Sequence, residues 1–182
     1  MISNILDVYN QASPLDIAEG LRWYHEAKRE CQNLARRNRI TLKQAIGIVA
    51  ALSPRVNWGR NVIAAQNLVR GIPGEGFGAN KVKAGKILEG ADPEDILRGD
   101  KVTSFYSNIL RPSSSTAVTI DRWAIRVTMG ADHWSSKVNT PTPKQYLQLG
   151  NEYREAAAIV GLKPLELQAI TWVTIKRLCG AW

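Results

Sequence analysis

The sequence predicts an all-α fold, on three observations. Apolar residues recur three and four apart over long stretches. Ser, Thr, Asp and Pro punctuate the chain in the order that opens helices. Runs with the two-residue alternation of a half-buried strand are nearly absent.

Ser13-Pro14 supplies a cap followed by proline at the first helical position. From Leu15 to Asn38, Ile17, Leu21, Tyr24, Ala27, Cys31 and Leu34 share one face, and Arg22, Lys28, Arg29, Arg36, Arg37 and Arg39 lie on the far side. Thr41 caps a second helix with Gln44 at the capping-box position. Its body, Ala45 to Leu52, is almost wholly apolar and belongs at the centre of the core. Ser53-Pro54 closes it, because the residue before a proline is pushed out of the helical region. A short link, Arg55 to Arg60, leads to a helix over Asn61–Arg70, then a glycine-rich surface loop over residues 71–80 and a short basic helix from Lys81 to Leu88.

Asp92-Pro93-Glu94-Asp95 is a strong helix start: cap, proline, then acids facing the dipole. That helix is brief, Pro93 to Arg98, with Gly99 as its left-handed stop. Another begins near Lys101 and carries Phe105, Ile109 and Leu110. Val118-Thr119-Ile120 is β-branched and extended, and Asp121 stands where an N-cap belongs, ahead of Trp123 and Arg126. Two more proline-opened helices follow, Lys144 to Val160 and Leu165 to Leu178. Met129, Trp134, Trp172 and Trp182 are expected in the core, and Cys31 and Cys179 as buried apolar residues.

The bulk numbers narrow the function. At 182 residues, 45% hydrophobic and 22% charged, the chain can bury a core as one domain or two closely joined lobes. The net charge of +8 suits a polyanionic partner, nucleic acid above all. Two distant cysteines exclude a thiolate zinc site and a four-cysteine iron–sulfur cluster, so no metal and no cofactor is expected. His25 and His133 have no partners at ligand spacing. The N-terminus has no signal-peptide pattern and no stretch reaches membrane-spanning length, so a cytoplasmic protein of a bacterium or phage-infected cell is expected, nucleoid-associated and monomeric.

Four segments, in order, resemble those of the helix-hairpin-helix base-excision DNA glycosylases, the superfamily of endonuclease III and the 8-oxoguanine glycosylases. They are Ile48-Val49-Ala50-Ala51-Leu52-Ser53-Pro54, Lys83-Ala84-Gly85-Lys86-Ile87-Leu88, the turn Leu97-Arg98-Gly99-Asp100-Lys101, and Thr119-Ile120-Asp121-Arg122-Trp123-Ala124-Ile125-Arg126-Val127. Lys101 and Asp121 stand 20 positions apart, close to that family's spacing. The turn carries Gly99 alone where relatives have two glycines. The resemblance implies a two-lobed fold, with residues 42–128 as the lobe bearing the hairpin and catalytic segment, and 1–41 plus 129–182 as the other. It also implies double-stranded DNA holding a damaged or modified base as the partner. Lys101 and Asp121 are then the catalytic pair. Arg55, Asn57 and Trp58 would fill the gap left by a flipped base, Lys81, Lys83 and the Gly99 backbone would meet phosphates, and Arg60, Arg98 and Arg122 would add to the DNA-binding surface.

The chemistry accords with those residue types. Breaking a base–sugar bond passes through an oxocarbenium-like cation, which a nearby carboxylate stabilises. Asp121 at a helix start is aimed by the helix's own N–H groups, which favour its ionised form. A partly deprotonated lysine can attack C1′, form a Schiff base and allow β-elimination of the 3′ phosphate. The rival reading is a non-catalytic helical DNA-binding protein, such as a regulator. A magnesium nuclease is disfavoured, because no convergent set of carboxylates is evident.

Overall fold

The computed structural model describes residues 1–72 and 78–180, and among them every regular element is a helix. These are α1 (Ile2–Asn10), α2 (Pro14–Asn38), α3 (Leu42–Leu52), α4 (Trp58–Val69), α5 (Gly78–Leu88), α6 (Pro93–Ile96), α7 (Asp100–Leu110), α8 (Arg122–Met129), α9 (Pro143–Val160) and α10 (Pro164–Leu178), with a single 3-10 turn over Ala131–His133. The protein is all-α. No single helix among the described residues is long and apolar enough to cross a membrane.

Local chemistry explains most boundaries. Thr41 and Gln44 close a reciprocal capping box on α3, and Thr142 and Gln145 close another on α9. Asp92 accepts from the Glu94 N–H at the start of α6, with Pro93 in the first position. α4 starts at Trp58, three residues earlier than the sequence suggests, because the Asn57 side chain caps it by accepting from the Arg60 N–H at 3.0 Å. α6 stops at Ile96, since Leu97 is already extended (φ −70°, ψ 135°). Gly99 does take a positive φ of 89°, but it stands at the N-cap of α7 and does not terminate α6. α1 carries no side-chain cap and forms by burying Ile5 and Val8.

The chain packs as two units. The first comprises residues 1–24 and 112–182. Its core gathers Ile5 and Val8 of α1, Val118 and Ile120 of the segment before α8, Trp123, Ala124 and Val127 of α8, Tyr153, Ala156 and Ala157 of α9, and Leu167 and Ile175 of α10. The second comprises residues 25–111 and is built around α3, which packs on α4, α5, α6 and α7. Every α3 residue from Ala45 to Leu52 is buried. Gly47 is required there, because a Cβ would lie 2.6 Å from the Pro93 ring of α6. The division falls near residues 25 and 111 instead of 42 and 128, because α8 packs on α1 and α10 and takes Asp121 with it.

Two core expectations need correction. Met129 is 39% exposed, as the last residue of a short helix whose buried face is Trp123, Ala124, Val127 and Thr128. Cys179 is exposed beyond the end of α10, while Cys31 is buried as expected. Trp134 and Trp172 are half-buried and pack against the core of the first unit. The expectation for Trp182, and the glycine-rich loop from Pro73 to Phe77, lie outside the described residues.

In the first unit, α2 and α10 meet residue against residue in opposite chain order. Asp16 meets Arg177, Gly20 meets Ile170, and Tyr24 meets Gln168. At Gly20 a Cβ would fall 2.5 Å from the Ile170 Cα, a clash with backbone that no rotamer relieves. At the end of this contact the Arg177 guanidinium donates to both oxygens of the buried Asp16 (2.8 and 3.2 Å), and Ser13 donates its N–H at 2.8 Å.

Burial alone would push the Asp16 carboxyl up. The hydrogen bonds from Arg177 and Ser13, with the Arg177 charge, outweigh it and hold the pKa below the usual range. A depressed carboxyl contributes stability that is fully present above its unfolded value, about 3.9, and is lost as pH falls through the folded value. Asp16→Asn is therefore expected to cost about 1–3 kcal/mol at neutral pH and to flatten the acid limb of stability. Urea unfolding across pH 6 to about 2.5 checks this, and parallel curves for the two proteins would remove Asp16 as an acid-sensitive tie.

Candidate functional site

Asp121 is the N-cap of α8, with one side-chain oxygen accepting from the N–H groups of both Trp123 and Ala124 at 2.9 Å. The extended segment leading to it is fixed on two sides. The Tyr146 hydroxyl of α9 accepts from the Ile120 N–H at 3.0 Å and donates to the Val118 carbonyl at 2.8 Å. The Tyr24 hydroxyl of α2 bridges Thr119 Oγ1 (3.0 Å) and Gln168 Oε1 of α10 (2.8 Å). A carboxylate held this way is fixed in position before any ligand arrives, so it costs little to order at the moment of reaction.

Arg122 is exposed and lies 5.3 Å from the Trp123 ring centroid. Arg126 covers the same ring at 4.8 Å and donates to the Ser136 carbonyl at 3.0 and 3.1 Å. Arg126 thus ties α8 to the loop beyond the 3-10 turn.

The other expected residues belong to the second unit. Lys101 is the second residue of α7 and half-exposed. Phe105, one turn on, meets Trp58 edge-on with ring centroids 6.4 Å apart. Lys101 therefore shares a face of α7 with a residue that touches Trp58, and Trp58 is half-buried by that packing. Asn57 is occupied as the α4 cap. Arg55 is exposed and takes a left-handed φ of 65°, an uncommon conformation for arginine that turns the link between α3 and α4 sharply. Arg60 is exposed on the first turn of α4, and Lys81 and Lys83 are half-buried on α5.

The α6–α7 turn offers open backbone. Nothing lies within 4 Å of where a Cβ on Gly99 would stand. Arg98 turns back to donate to the Leu97 and Glu94 carbonyls (2.8 and 3.2 Å), which occupies part of its guanidinium. Asp100, in the first turn of α7, suits the helix dipole but opposes an incoming phosphate.

Lys101 and Asp121, expected as a pair, fall in different units. Inside its own unit the Asp121 charge acts on Lys176, on which Glu19 and Arg122 also act. Sequence reasoning passed over Glu19 and Lys176 and assigned Trp172 to the core. The visible signal was the four-residue spacing of Gln168, Trp172 and Lys176 along α10. Among the described residues no group of three or more His, Cys, Asp or Glu is arranged to hold a metal ion.

The positive charge is unevenly shared. Residues 25–111 carry fifteen Lys and Arg against eight Asp and Glu, a net +7, which leaves +1 for the rest of the chain. One family model matches the sequence, over residues 1–178. The chain belongs to a family of unknown function (DUF7178). No curated protein and no solved structure matches it. The match to DUF7178 spans both units, so the basic unit and the Asp121 unit are parts of one family architecture.

Proposed function

We propose that this chain is a DNA N-glycosylase of helix-hairpin-helix type, which removes a damaged or modified base and follows with lyase cleavage through a lysine Schiff base. The observation that carries the reading is Asp121, a carboxylate fixed by two backbone N–H groups at a helix start and by two tyrosine-anchored contacts in the segment before it. Its role is to balance the cation that forms at the sugar as the base departs.

The basic second unit supplies the phosphate contacts, through Lys81, Lys83, Arg98 and the open backbone at Gly99, with Arg122 adding a contact from the first unit. Arg55, Asn57, Trp58 and Arg60 stand at the gap of the flipped nucleotide. The sequence nominates Lys101 as the attacking amine.

The test is base release. Duplex oligonucleotides carrying a panel of oxidised, alkylated, deaminated and bulky-modified bases are incubated with the protein, and free base is measured by mass spectrometry. Release from at least one duplex is expected. Tight binding to every duplex with no base released from any would leave the non-catalytic DNA-binding reading in its place.

A further inference from the structure

Among the described residues, six of the positions with a positive φ hold glycine: Gly71, Gly90, Gly99, Gly130, Gly161 and Gly180. The two that do not are Arg39 (φ 55°) and Arg55 (φ 65°). Left-handed backbone crowds a Cβ against the following carbonyl, which is why glycine is the ordinary occupant. Both exceptions are arginines, both are exposed, and both belong to the basic second unit. They flank α3, one just before it and one just after.

The fold itself does not ask for an arginine at position 39. It is the residue just past the end of α2, where the Ile40 N–H closes back onto the Ala35 carbonyl at 3.2 Å. That closure is the left-handed helix stop at which glycine is favoured. A basic side chain can earn such a place by donating to the last carbonyls, but here Asn38 does so, reaching the Leu34 carbonyl at 2.8 Å. The Arg39 side chain makes no hydrogen bond or ion pair among the described residues. Arg36 and Arg37, exposed on the last turn of α2, stand beside it in sequence. From Lys28 to Arg39 the chain carries five Lys and Arg against one Glu. The helix dipole accounts for cations inside the last turn. It does not account for one that holds its own backbone in an unfavourable region beyond that turn.

Resting on the DNA reading above, we propose that Arg39 is a phosphate contact, and that the corner between α2 and α3, with Arg36 and Arg37, is part of the surface on which the basic unit holds duplex DNA. A guanidinium matches a phosphate with two parallel N–H donors, which glycine cannot supply. The strained backbone is then kept for binding at a cost to folding. Contacts of this kind carry no sequence information, so an undamaged duplex serves as the probe.

Arg39→Gly separates binding from folding, because its two effects have opposite signs. Relief of the left-handed strain should raise Tm by about 2–4 °C. Loss of one phosphate contact should weaken binding to an undamaged duplex of about 20 base pairs by about three- to tenfold at roughly 0.1 M salt. The log–log salt slope should become shallower by about 0.9. Arg39→Lys keeps both the cation and the strained backbone, so its Tm and slope should match wild type. Fluorescence anisotropy and thermal melts read all of these. A stabilised Arg39→Gly that binds as wild type does overturns the proposal. So does a lowered Tm, which would make Arg39 a structural part of the corner, or a slope that changes equally in Arg39→Lys. A wild type with no salt dependence removes the DNA reading itself, a failure recognised without any variant.

Discussion

Replacing Asp121 by asparagine is expected to slow base release by about 10²–10³-fold while leaving the fold in place, the size of loss seen when one preorganised electrostatic group is removed from a transition state. The two effects separate because Asp121 does two jobs. As a cap it needs only an oxygen that accepts from the Trp123 and Ala124 N–H groups, and an asparagine amide provides one. As the counter-charge to a sugar cation it needs a full negative charge, which the amide lacks. Thermal unfolding of Asp121→Asn should therefore match wild type, whereas Asp121→Ala should lose about 1 kcal/mol through the missing cap. Single-turnover base release measured beside those melting curves separates the two jobs. Wild-type release by Asp121→Asn would reduce Asp121 to a cap, and a matched fall in stability and activity would make its effect structural.

Much of this structure was legible because helix starts are encoded locally. Thr41 with Gln44, Asp92 with Pro93, and Asp121 ahead of Trp123 each announce a start within four residues, and each caps the helix it announces. The apolar run of α3 likewise fixed its central place in the second unit. Features that depend on residues far apart in sequence were not legible. The Asp121 segment joins the first unit through Tyr24, Tyr146 and Gln168, none of which advertises that partner. Gly20 reads as an ordinary interruption of a helix until Ile170 is seen against it. Lys176 lies 55 positions beyond Asp121, so the action of the Asp121 charge on it has no local signal in the sequence. Asn57 is a local signal of the other kind: it was read as part of the link, yet its side chain caps α4.

DNA affinity should fall steeply with salt, and the fall should trace to the second unit. Each phosphate neutralised by a lysine or arginine releases condensed counterions, giving a log–log slope of about −0.9 per contact. With about five such contacts the slope is about −4 to −5, so affinity should drop about 10²–10³-fold between roughly 50 and 200 mM salt. The uneven charge makes this specific. Residues 25–111 hold a net +7 and the remainder +1, so counterion release should follow substitutions in the basic unit. Lys83→Ala on α5 should make the slope shallower by about 0.9, while Lys144→Ala, exposed on α9 of the nearly neutral unit, should leave it unchanged. Fluorescence anisotropy titrations of an undamaged duplex at four or so salt concentrations give these slopes directly. A wild-type slope near zero would contradict DNA as the partner. Equal changes from Lys83→Ala and Lys144→Ala would show that the contacts are not confined to the basic unit, however strongly the protein binds.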